Sequence, residues 1–463
     1  MIGRLAFRSL TAHPVRSAVL AAGFGVGVAV MAILLGVAAI VLEQAQSPAL
    51  VGGGDVFVRL NEGVPARLVL AGTLQSDALR RRVKVASPFQ TGTLYLLHDG
   101  TASPVDARGG IPSLERTLGD PETTQVAVWR NTTADAAWAA GTPDRVLRQI
   151  DRFHPIPDAP RWEASWAEWL YFNGRAGDAR FYLTFMVGPR TQAGRRSAGV
   201  RLQLERQGQM TNYSGAAEID DADVARAPDL TIGANRVTLE GLRYHVHLEL
   251  VSERGERASG DLTLDASPGK LVPPIEITGA HGWRTGYVVP VMSGALDGRL
   301  DVGGTSISWH GGTGYHDHNW GFWEGVSWQW GQTQAVADTG RGPVSLLFGR
   351  VFPPREAADP DRIPGFLGVL GPDGPLGYAT NVRINERNDA SGKPTQISIA
   401  GAGPGLDVNV RFDVASTVVS RRTQAGGLDF LQMRGSYTVN GRAGGKPLQF
   451  TAAGAAETFR GNR

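Results

Sequence analysis

Residues 242–250 read Leu-Arg-Tyr-His-Val-His-Leu-Glu-Leu, with apolar side chains at the even positions and polar ones at the odd positions. This period of two is typical of a β-strand that buries one face and exposes the other. Comparable short runs recur at 181–187, 199–206, 344–351, 378–384, 395–400, 406–413 and 447–452. No long amphipathic helical pattern interrupts them. The sequence therefore predicts a mainly β body of antiparallel barrels or sandwiches.

Turn residues and tryptophans divide this body. Turns are expected at Pro372-Asp373-Gly374 and at Asn440-Gly441, because an Asn-Gly pair between apolar runs favours a β-hairpin. Two groups of tryptophans open two halves of the body: Trp162, Trp166 and Trp169, then Trp323, Trp328 and Trp330. Large aromatic side chains can close the floor of a barrel or line a ligand pocket. We therefore expect two barrels of similar size.

The composition excludes several classes of chemistry. The chain has 463 residues, 42% of them hydrophobic, and no cysteine. Disulfides, cysteine-ligated zinc, iron–sulfur clusters and thiol nucleophiles are therefore impossible. The formal net charge of +2 does not favour a nucleic-acid partner, which would select a basic face. The sequence suggests no cofactor.

One stretch near the N-terminus is long and apolar enough for a membrane. Residues 18–42 carry no charged side chain, and 25 helical residues exceed the ~30 Å hydrocarbon core. Arg4, Arg8 and Arg16 precede the stretch, so the positive-inside rule predicts a cytoplasmic segment 1–17 and an extracytoplasmic body. The alternative is a cleaved signal peptide. We expect a single-pass helix in the inner membrane, with the lipid bilayer as a partner.

The remaining boundaries follow from changes in pattern. Residues 43–150 are expected to form a small α+β segment, with the first barrel at 151–322 and the second at 323–463. Within the small segment the sequence predicts strands at Val56–Val58 and Leu94–Leu97 and short helices at Leu114–Leu118 and Asp135–Ala140. It contains no cluster of residues that suggests catalysis.

The N-terminal segment also resembles a known family. Residues 4–30 read RLAFRSLTAHPVRSAVLAAGFGVGVAV, a basic lead-in followed by a Gly/Ala-rich span that is similar to the first helix of FtsX-type ABC-transporter permeases. A permease needs further spanning helices, and the sequence predicts none. The resemblance therefore implies no transport by this chain, but it does imply possible association with ABC-transporter components.

The densest group of reactive side chains is WHGGTGYHDHNWGFW, at residues 309–323. Acid-catalysed addition of water through a carbocation requires a positioned acid and surroundings that stabilise the cation. Asp317 kept neutral by apolar neighbours, or a protonated His316 or His318, can serve as the acid. Aromatic faces stabilise cations by ~0.5–2 kcal/mol each, which suits Tyr315, Trp320 and Trp323. Asn319 or His318 can hold the water.

Two other interpretations of this cluster stay open. In the first, Asp317 accepts hydrogen bonds from backbone amides in a turn, and the histidines are buried for structural reasons. In the second, His316 and His318 bind a metal with His310 or Asp317. Alternate residues of a strand point to opposite faces, so Asp317 would point away from both histidines. No metal site is assigned.

The cluster also resembles a family signature. Gly-Tyr-His-Asp-His-Asn-Trp-Gly at 314–321, followed by Trp-Gln-Trp-Gly at 328–331, is similar to the signature of carotenoid 1,2-hydratase (hydroxyneurosporene synthase) and AttH-like proteins. Glu-Trp-Leu-Tyr-Phe at 168–172 is similar to the family's opening strand, with Leu170 in place of a tryptophan. The resemblance spans about residues 150–463. It implies two tandem lipocalin-like (calycin) barrels, an apolar pocket near their junction, and a hydro-lyase that adds water to an isoprenoid double bond.

These observations together give a set of candidate site residues. The predicted catalytic residues are Asp317, His316 and His318. The predicted ligand-binding residues are Trp169, Tyr171, Tyr287, His310, Tyr315, Asn319, Trp320, Trp323, Trp328 and Trp330. The expected ligand is a hydrophobic small molecule, an isoprenoid or other lipid, in a Trp-lined pocket. The alternative function is a non-enzymatic lipid-binding accessory subunit of an ABC export system.

Overall fold

A computed structural model describes residues 14–45, 53–58, 81–98, 101–120 and 143–461, with gaps at 268–269, 336–341, 373, 404 and 422–427, and a few isolated positions before residue 143. Its contacts divide the chain into two compact units. One unit comprises residues 1–58 and 85–140, and the other comprises residues 59–84 and 141–463. Both barrels belong to the second unit.

The apolar N-terminal stretch forms one long helix, α1, at Pro14–Ala45. Its 22-residue part Pro14–Leu35 has the length and hydropathy to cross a bilayer, and it is the one such helix among the described residues. A signal sequence has the same properties. The helix is therefore compatible with a single-pass anchor, while its orientation and the identity of the membrane stay predictions.

The remainder of the first unit contains a hairpin and a short helix. Strands β1 (Phe89–His98) and β2 (Thr101–Gly110) pair antiparallel, and α2 follows at Pro112–Thr117, close to the predicted elements. Val56–Val58 lacks regular secondary structure, so its prediction as a strand is wrong, and most of the predicted helix Asp135–Ala140 lies outside the described residues. The Arg108 guanidinium joins the buried carboxylates of Asp120, at 2.6 Å, and Glu115, so a charged group anchors the hairpin to α2.

The first barrel is preceded by helix α3 (Pro143–Ile150), and helix α4 (Asp221–Val224) interrupts its strands. The twelve strands of its sheet are β3 (Trp166–Ala176), β4 (Ala179–Arg190), β5 (Arg196–Arg206), β6 (Gln209–Ile219), β7 (Leu230–Ile232), β8 (Asn235–Glu240), β9 (Arg243–Ser252), β10 (Arg257–Asp265), β11 (Val272–Thr278), β12 (Arg284–Val302), β13 (Thr305–Ser308) and β14 (Gly312–Phe322). Eight of them close a ring in the order β10-β12-β14-β3-β4-β5-β6-β9, because β9 pairs again with β10. Strands β7 and β8 extend from β9, and β11 and β13 pair with β12.

The second barrel is a simple meander. Its strands are β15 (Ser327–Ala335), β16 (Val344–Phe352), β17 (Gly365–Gly371), β18 (Gly374–Asn388), β19 (Pro394–Gly403), β20 (Leu406–Arg421), β21 (Leu428–Ala443) and β22 (Lys446–Gly461). Each strand pairs with the next, and β22 closes on β15. The predicted fold class, two lipocalin-like barrels after a small segment and one apolar helix, is confirmed.

The interior of each barrel is filled by side chains. In the first, Trp162, Trp166, Trp283 and Trp309 are fully buried in one hydrophobic cluster, together with Val146, Leu147 and Ile150 of α3. Helix α3 therefore packs with the first barrel, although the sequence analysis placed it in the preceding segment. A separate cluster, which includes Phe348, Phe412 and Tyr437, fills the second barrel.

One predicted turn is wrong. Asn440 and Gly441 lie inside β21, and the hairpin turns instead at Gly444 and Gly445, with φ of +56° and +74°. Gly441 has φ +151°, and a Cβ there would lie 2.1 Å from the Asp407 carbonyl oxygen. The glycine therefore serves a close approach of β20 to β21, which the Asn-Gly pattern does not distinguish from a turn.

Candidate active site between the two barrels

Strand β14 divides the sequence signature between its two faces. His316, His318 and Trp320 point into the first barrel, where Trp320 joins the interior cluster. Tyr315 belongs instead to a cluster that also includes Trp330 and Leu347 of the second barrel. Asp317 and Asn319 face the same way as Tyr315, since side chains alternate along a strand. Asp317 and the two histidines therefore point to opposite faces of the strand, as the sequence predicts.

The outer face of β14 borders a cavity of about 440 Å³ between the barrels. Its wall combines aromatic side chains with a few polar ones, an arrangement usual for small-molecule sites. The aromatic part consists of Trp169, Tyr171, Tyr287, Trp323, Trp328, Trp330, Phe366 and Tyr378, and the polar part includes Asp317, Asn319, Gln329, Arg350 and Glu457.

Three tryptophans form one side of this cavity. The ring of Trp169 lies 4.6 Å from Trp323 and 6.1 Å from Trp328, and Trp323 lies 5.4 Å from Trp328. The Trp323 indole donates a hydrogen bond to the Ala167 carbonyl oxygen at 2.9 Å. Trp169 and Trp328 therefore stand between the barrels, where their faces border the cavity.

Asp317 is a buried carboxyl group at this cavity, with 3% of its surface exposed. Its Oδ2 accepts a hydrogen bond from the Tyr315 hydroxyl at 2.8 Å, and its Oδ1 accepts one from Asn319 Nδ2 at 2.7 Å. Burial raises the pKa of Asp317 well above its usual range despite these bonds, and the negative charge of Glu457 raises it further. Burial therefore favours the protonated form of Asp317.

A chain of hydrogen bonds holds Asp317 in place. Tyr315 shares a 2.6 Å hydrogen bond with Tyr287, and the Trp330 indole donates to the Tyr287 hydroxyl at 3.0 Å. Burial raises the pKa of both tyrosines well above 10, so both remain phenols. Residues of both barrels thus fix the orientation of the acid.

The inward face of β14 carries a different network. The buried carboxylate of Asp151 contacts His316 Nε2 at 2.9 Å and His318 Nδ1 at 3.3 Å, and it accepts a hydrogen bond from Tyr244 at 2.9 Å. His318 Nε2 lies 2.8 Å from Glu168 Oε1. These contacts tie the segment before β3 to the middle of β14.

The charges of this network stabilise one another. Burial lowers the pKa of His318, but the hydrogen bonds and charges of Asp151 and Glu168 outweigh it and raise the pKa to about 9. Burial similarly opposes ionisation of Asp151, yet the two histidines bring its pKa below the usual range. His318 is therefore an imidazolium between two carboxylates.

One group of side chains has the composition of a metal site. His154, Glu168 and His318 each offer a ligand atom, and these atoms lie within 4.8 Å of one another. In this arrangement Glu168 Oε1 lies 2.7 Å from His154 Nδ1 and 2.8 Å from His318 Nε2. The contacts are those of hydrogen bonds to one carboxylate, and this group differs from the set that the sequence suggested.

The structure brings most of the predicted site residues together and separates a few. Trp169, Tyr171, Tyr287, Asp317, Asn319, Trp323, Trp328 and Trp330 all line the cavity. Tyr315 lies behind Asp317. His316, His318 and Trp320 lie on the other face of β14, so they do not reach a ligand in the cavity. The side chain of His310, predicted to bind the ligand, is 85% exposed and pairs with Asp297. It is not among the residues that line the cavity.

Several residues of the site escaped the sequence analysis. Phe366, Tyr378 and Glu457 line the cavity but come from separate strands of the second barrel, outside the signature. Gln329 also lines it and lies within the Trp-Gln-Trp-Gly motif, but it was not predicted as a site residue. Asp151 and His154 escaped as well. Glu168 was visible as part of the Glu-Trp-Leu-Tyr-Phe strand, although its role as partner of His318 was not.

Comparison with known proteins gives structural neighbours only. No family model matches the sequence, and no curated protein matches it. An AttH-type protein from Nitrosomonas europaea is 16% identical, with 63% of this chain and 92% of that chain covered and a TM-score of 0.42. Kievitone hydratase from Nectria haematococca is 14% identical, with coverage of 66% and 93% and a TM-score of 0.41. CghA, in its complex with Sch210972, is 13% identical, with coverage of 67% and 94% and a TM-score of 0.40. These similarities concern the fold alone.

Proposed function

We propose that this protein binds an isoprenoid, or another apolar unsaturated molecule, between its barrels and adds water to one of its carbon–carbon double bonds. The observation that carries the proposal is the buried carboxyl group of Asp317 at the wall of an aromatic cavity, where burial raises its pKa. Alkene hydration begins with proton transfer to carbon, and a neutral carboxyl group in an apolar site is suited to donate it.

The surroundings of Asp317 suit the intermediate as well. Protonation of a trisubstituted alkene leaves a tertiary carbocation, which the faces of Trp169, Trp323 and Trp328 can stabilise by ~0.5–2 kcal/mol each. Tyr315 and Asn319 act as positioning residues, because they hold the two oxygens of Asp317. A general acid contributes ~10²–10⁴-fold to the rate, and orientation of the ligand would supply the remainder.

The size of the cavity and the sequence signature suggest the ligand class. A volume of about 440 Å³ accommodates a drug-sized molecule, or the end of a longer chain. The resemblance of residues 314–321 to the carotenoid 1,2-hydratase signature supports isoprenoids as the first class to test. Anchoring through α1 would keep the protein at a bilayer, into which such ligands partition.

A second candidate function is binding without chemistry. The permease-like N-terminal sequence favours it, since an accessory subunit of an ABC export system would need a lipid site and no acid. In that case the hydrogen bonds to Asp317 would serve only to satisfy a buried carboxyl group.

The two functions differ in turnover. We expect the full chain, incubated with geranylgeraniol or farnesol, to yield a product heavier by one water molecule, detected by mass spectrometry. Asp317→Asn should lower this rate ~10²–10⁴-fold while ligand-induced thermal stabilisation persists. Asp297→Asn, at an exposed carboxylate, is the matched control and should react as the parent protein does. Wild-type turnover by Asp317→Asn would contradict the proposal, and a co-purified lipid that is never converted would favour the binding function.

A further inference from the structure

A second buried carboxyl group faces the same cavity. Glu457 lies on β22, the last strand of the second barrel, and is 8% exposed. Its neighbour Ala456 belongs to the interior cluster of that barrel, so the alternation of the strand turns Glu457 outwards to the cavity wall. Of the carboxyl groups that line the cavity, the two buried ones are Asp317 of the first barrel and Glu457 of the second. Glu276 also lines it, but this residue is exposed and its Oε1 lies 3.8 Å from Arg284 Nη1.

Hydrogen bonds orient Glu457 at the cavity. Among them, the Tyr171 hydroxyl donates to its Oε1 at 3.1 Å, and Gln432 Nε2 donates to the same oxygen at 3.4 Å. The carboxyl group is therefore held in one orientation at the wall of an aromatic cavity, a position that suits a reactive role.

Tyr171 connects the two carboxyl groups. It is the cross-strand partner of Asp317 in the pairing of β3 with β14, so their side chains are neighbours on the outer face of the first barrel. Its hydroxyl reaches across the interface to Glu457. A negative charge on Glu457 raises the pKa of Asp317, and a pair of neighbouring carboxyl groups that differ in this way suits one acid and one base.

We infer that Glu457 is the general base of the hydration, the group that removes a proton from the attacking water. The inference rests on the proposed function. The Asp317 O–H bond breaks as its proton forms a C–H bond with the alkene, and the water oxygen then forms a C–O bond with the cation. An O–H bond of that water breaks, and its proton passes to the Glu457 carboxylate. After product release, solvent carries a proton from Glu457 back to Asp317.

The test separates the two proton transfers. With geranylgeraniol in deuterium oxide, Asp317 alone can exchange deuterium into the alkene. It transfers a deuteron to carbon, and the cation then returns the original proton of that carbon to the Asp317 carboxylate, which leaves the alkene labelled. Glu457→Gln should therefore retain deuterium incorporation and ligand-induced thermal stabilisation, while hydration falls ~10²–10³-fold. Asp317→Asn should lose both reactions. Tyr171→Phe, which keeps the carboxylate and removes its hydrogen bond, should lose less than about tenfold in hydration.

Rescue by a small carboxylate distinguishes a base from a structural residue. Glu457→Ala leaves a space at the cavity wall, and sodium formate should restore hydration at least about tenfold, an effect that a structural role would not produce. Unchanged hydration by Glu457→Gln would overturn the role of Glu457 alone. Equal loss of exchange and hydration by Glu457→Gln, with no formate rescue of Glu457→Ala, would overturn it too. A wild-type protein with neither reaction would instead overturn the proposed function itself.

Discussion

The two barrels share a strand count and differ in what their walls and interiors contain. The first buries a charged network of Asp151, Glu168, His316 and His318. The sequence has no histidine after His318, and Glu457 is the one buried carboxylate among the described residues of the second barrel. That carboxylate faces the cavity. The first barrel therefore carries buried charge in its interior, whereas the one buried carboxylate described in the second barrel faces the shared site.

Removal of the His318 imidazolium should have the largest effect on stability. His318→Ala would leave Asp151 and Glu168 buried without the cation they share, at a cost of ~3–5 kcal/mol in the free energy of unfolding. Urea unfolding of the full chain measures this. His247→Ala is the matched control, because His247 pairs with Asp261 on the half-exposed outer face of the same barrel and should change stability by less than ~1 kcal/mol. Equal effects of the two variants would contradict the difference between interior and surface.

The same network should make the first barrel sensitive to pH. The pKa of His318 is raised from 6.5 to about 9, so its contribution is complete below the unfolded value of 6.5 and is lost as pH rises through 9. The loss amounts to a few kcal/mol. The pKa of Asp151 is lowered in the folded protein. The stability that Asp151 contributes is therefore lost in acid, as the pH falls below the pKa that Asp151 has in the unfolded chain.

Urea midpoints at about pH 6 and about pH 10 test this dependence. We expect the first barrel to lose stability over this range, with hydrogen exchange that assigns the loss to peptides of that barrel rather than of the second. A uniform loss across both barrels, or none, would be inconsistent with an imidazolium in the first.

A tryptophan of the second barrel that lines the cavity and a tryptophan in the core of the first barrel should separate binding from stability. Trp328→Ala removes one wall of the cavity and should weaken binding of geranylgeraniol ~10–100-fold with a small change in stability. Trp166→Ala removes a fully buried ring and should cost ~3–5 kcal/mol of stability. Calorimetric titration and urea unfolding of both variants give the comparison. Weakened binding without instability in Trp166→Ala would contradict it.

The smallest effect is expected at His310. Its side chain is largely exposed and pairs with Asp297, so His310→Ala should leave both ligand affinity and the melting temperature unchanged. A marked loss of affinity in titration calorimetry would place the ligand somewhere other than the cavity between the barrels.

Periodicity carried most of the successful prediction. The alternation in residues 242–250 and its counterparts predicted the strands, because a side-chain period of two follows from strand geometry. The same rule predicted that Asp317 and the neighbouring histidines would point to opposite faces. It could not say which face was the barrel interior, and so all three were assigned to catalysis.

Contacts between residues that are distant in the sequence could not be predicted from local periodicity. Asp151 meets His316 across 165 residues, and Tyr171 meets Glu457 across 286. Such pairs are set by barrel closure and by the docking of one barrel on the other, and no local signal encodes either. The turn predicted at Asn440-Gly441 was wrong for the opposite reason. A local signal for a turn was present, but a close approach between neighbouring strands also requires glycine.

The position of the cavity on two outer walls has a consequence for how this protein can change. In a barrel that binds its ligand inside, every substitution in the site is also a substitution in the core. Here Phe366 and Tyr378 line the cavity, while their neighbours Leu367 and Ala379 belong to the core of the second barrel. New ligand preferences can therefore be selected or engineered at the cavity with little penalty in folding, which makes this architecture permissive to divergence.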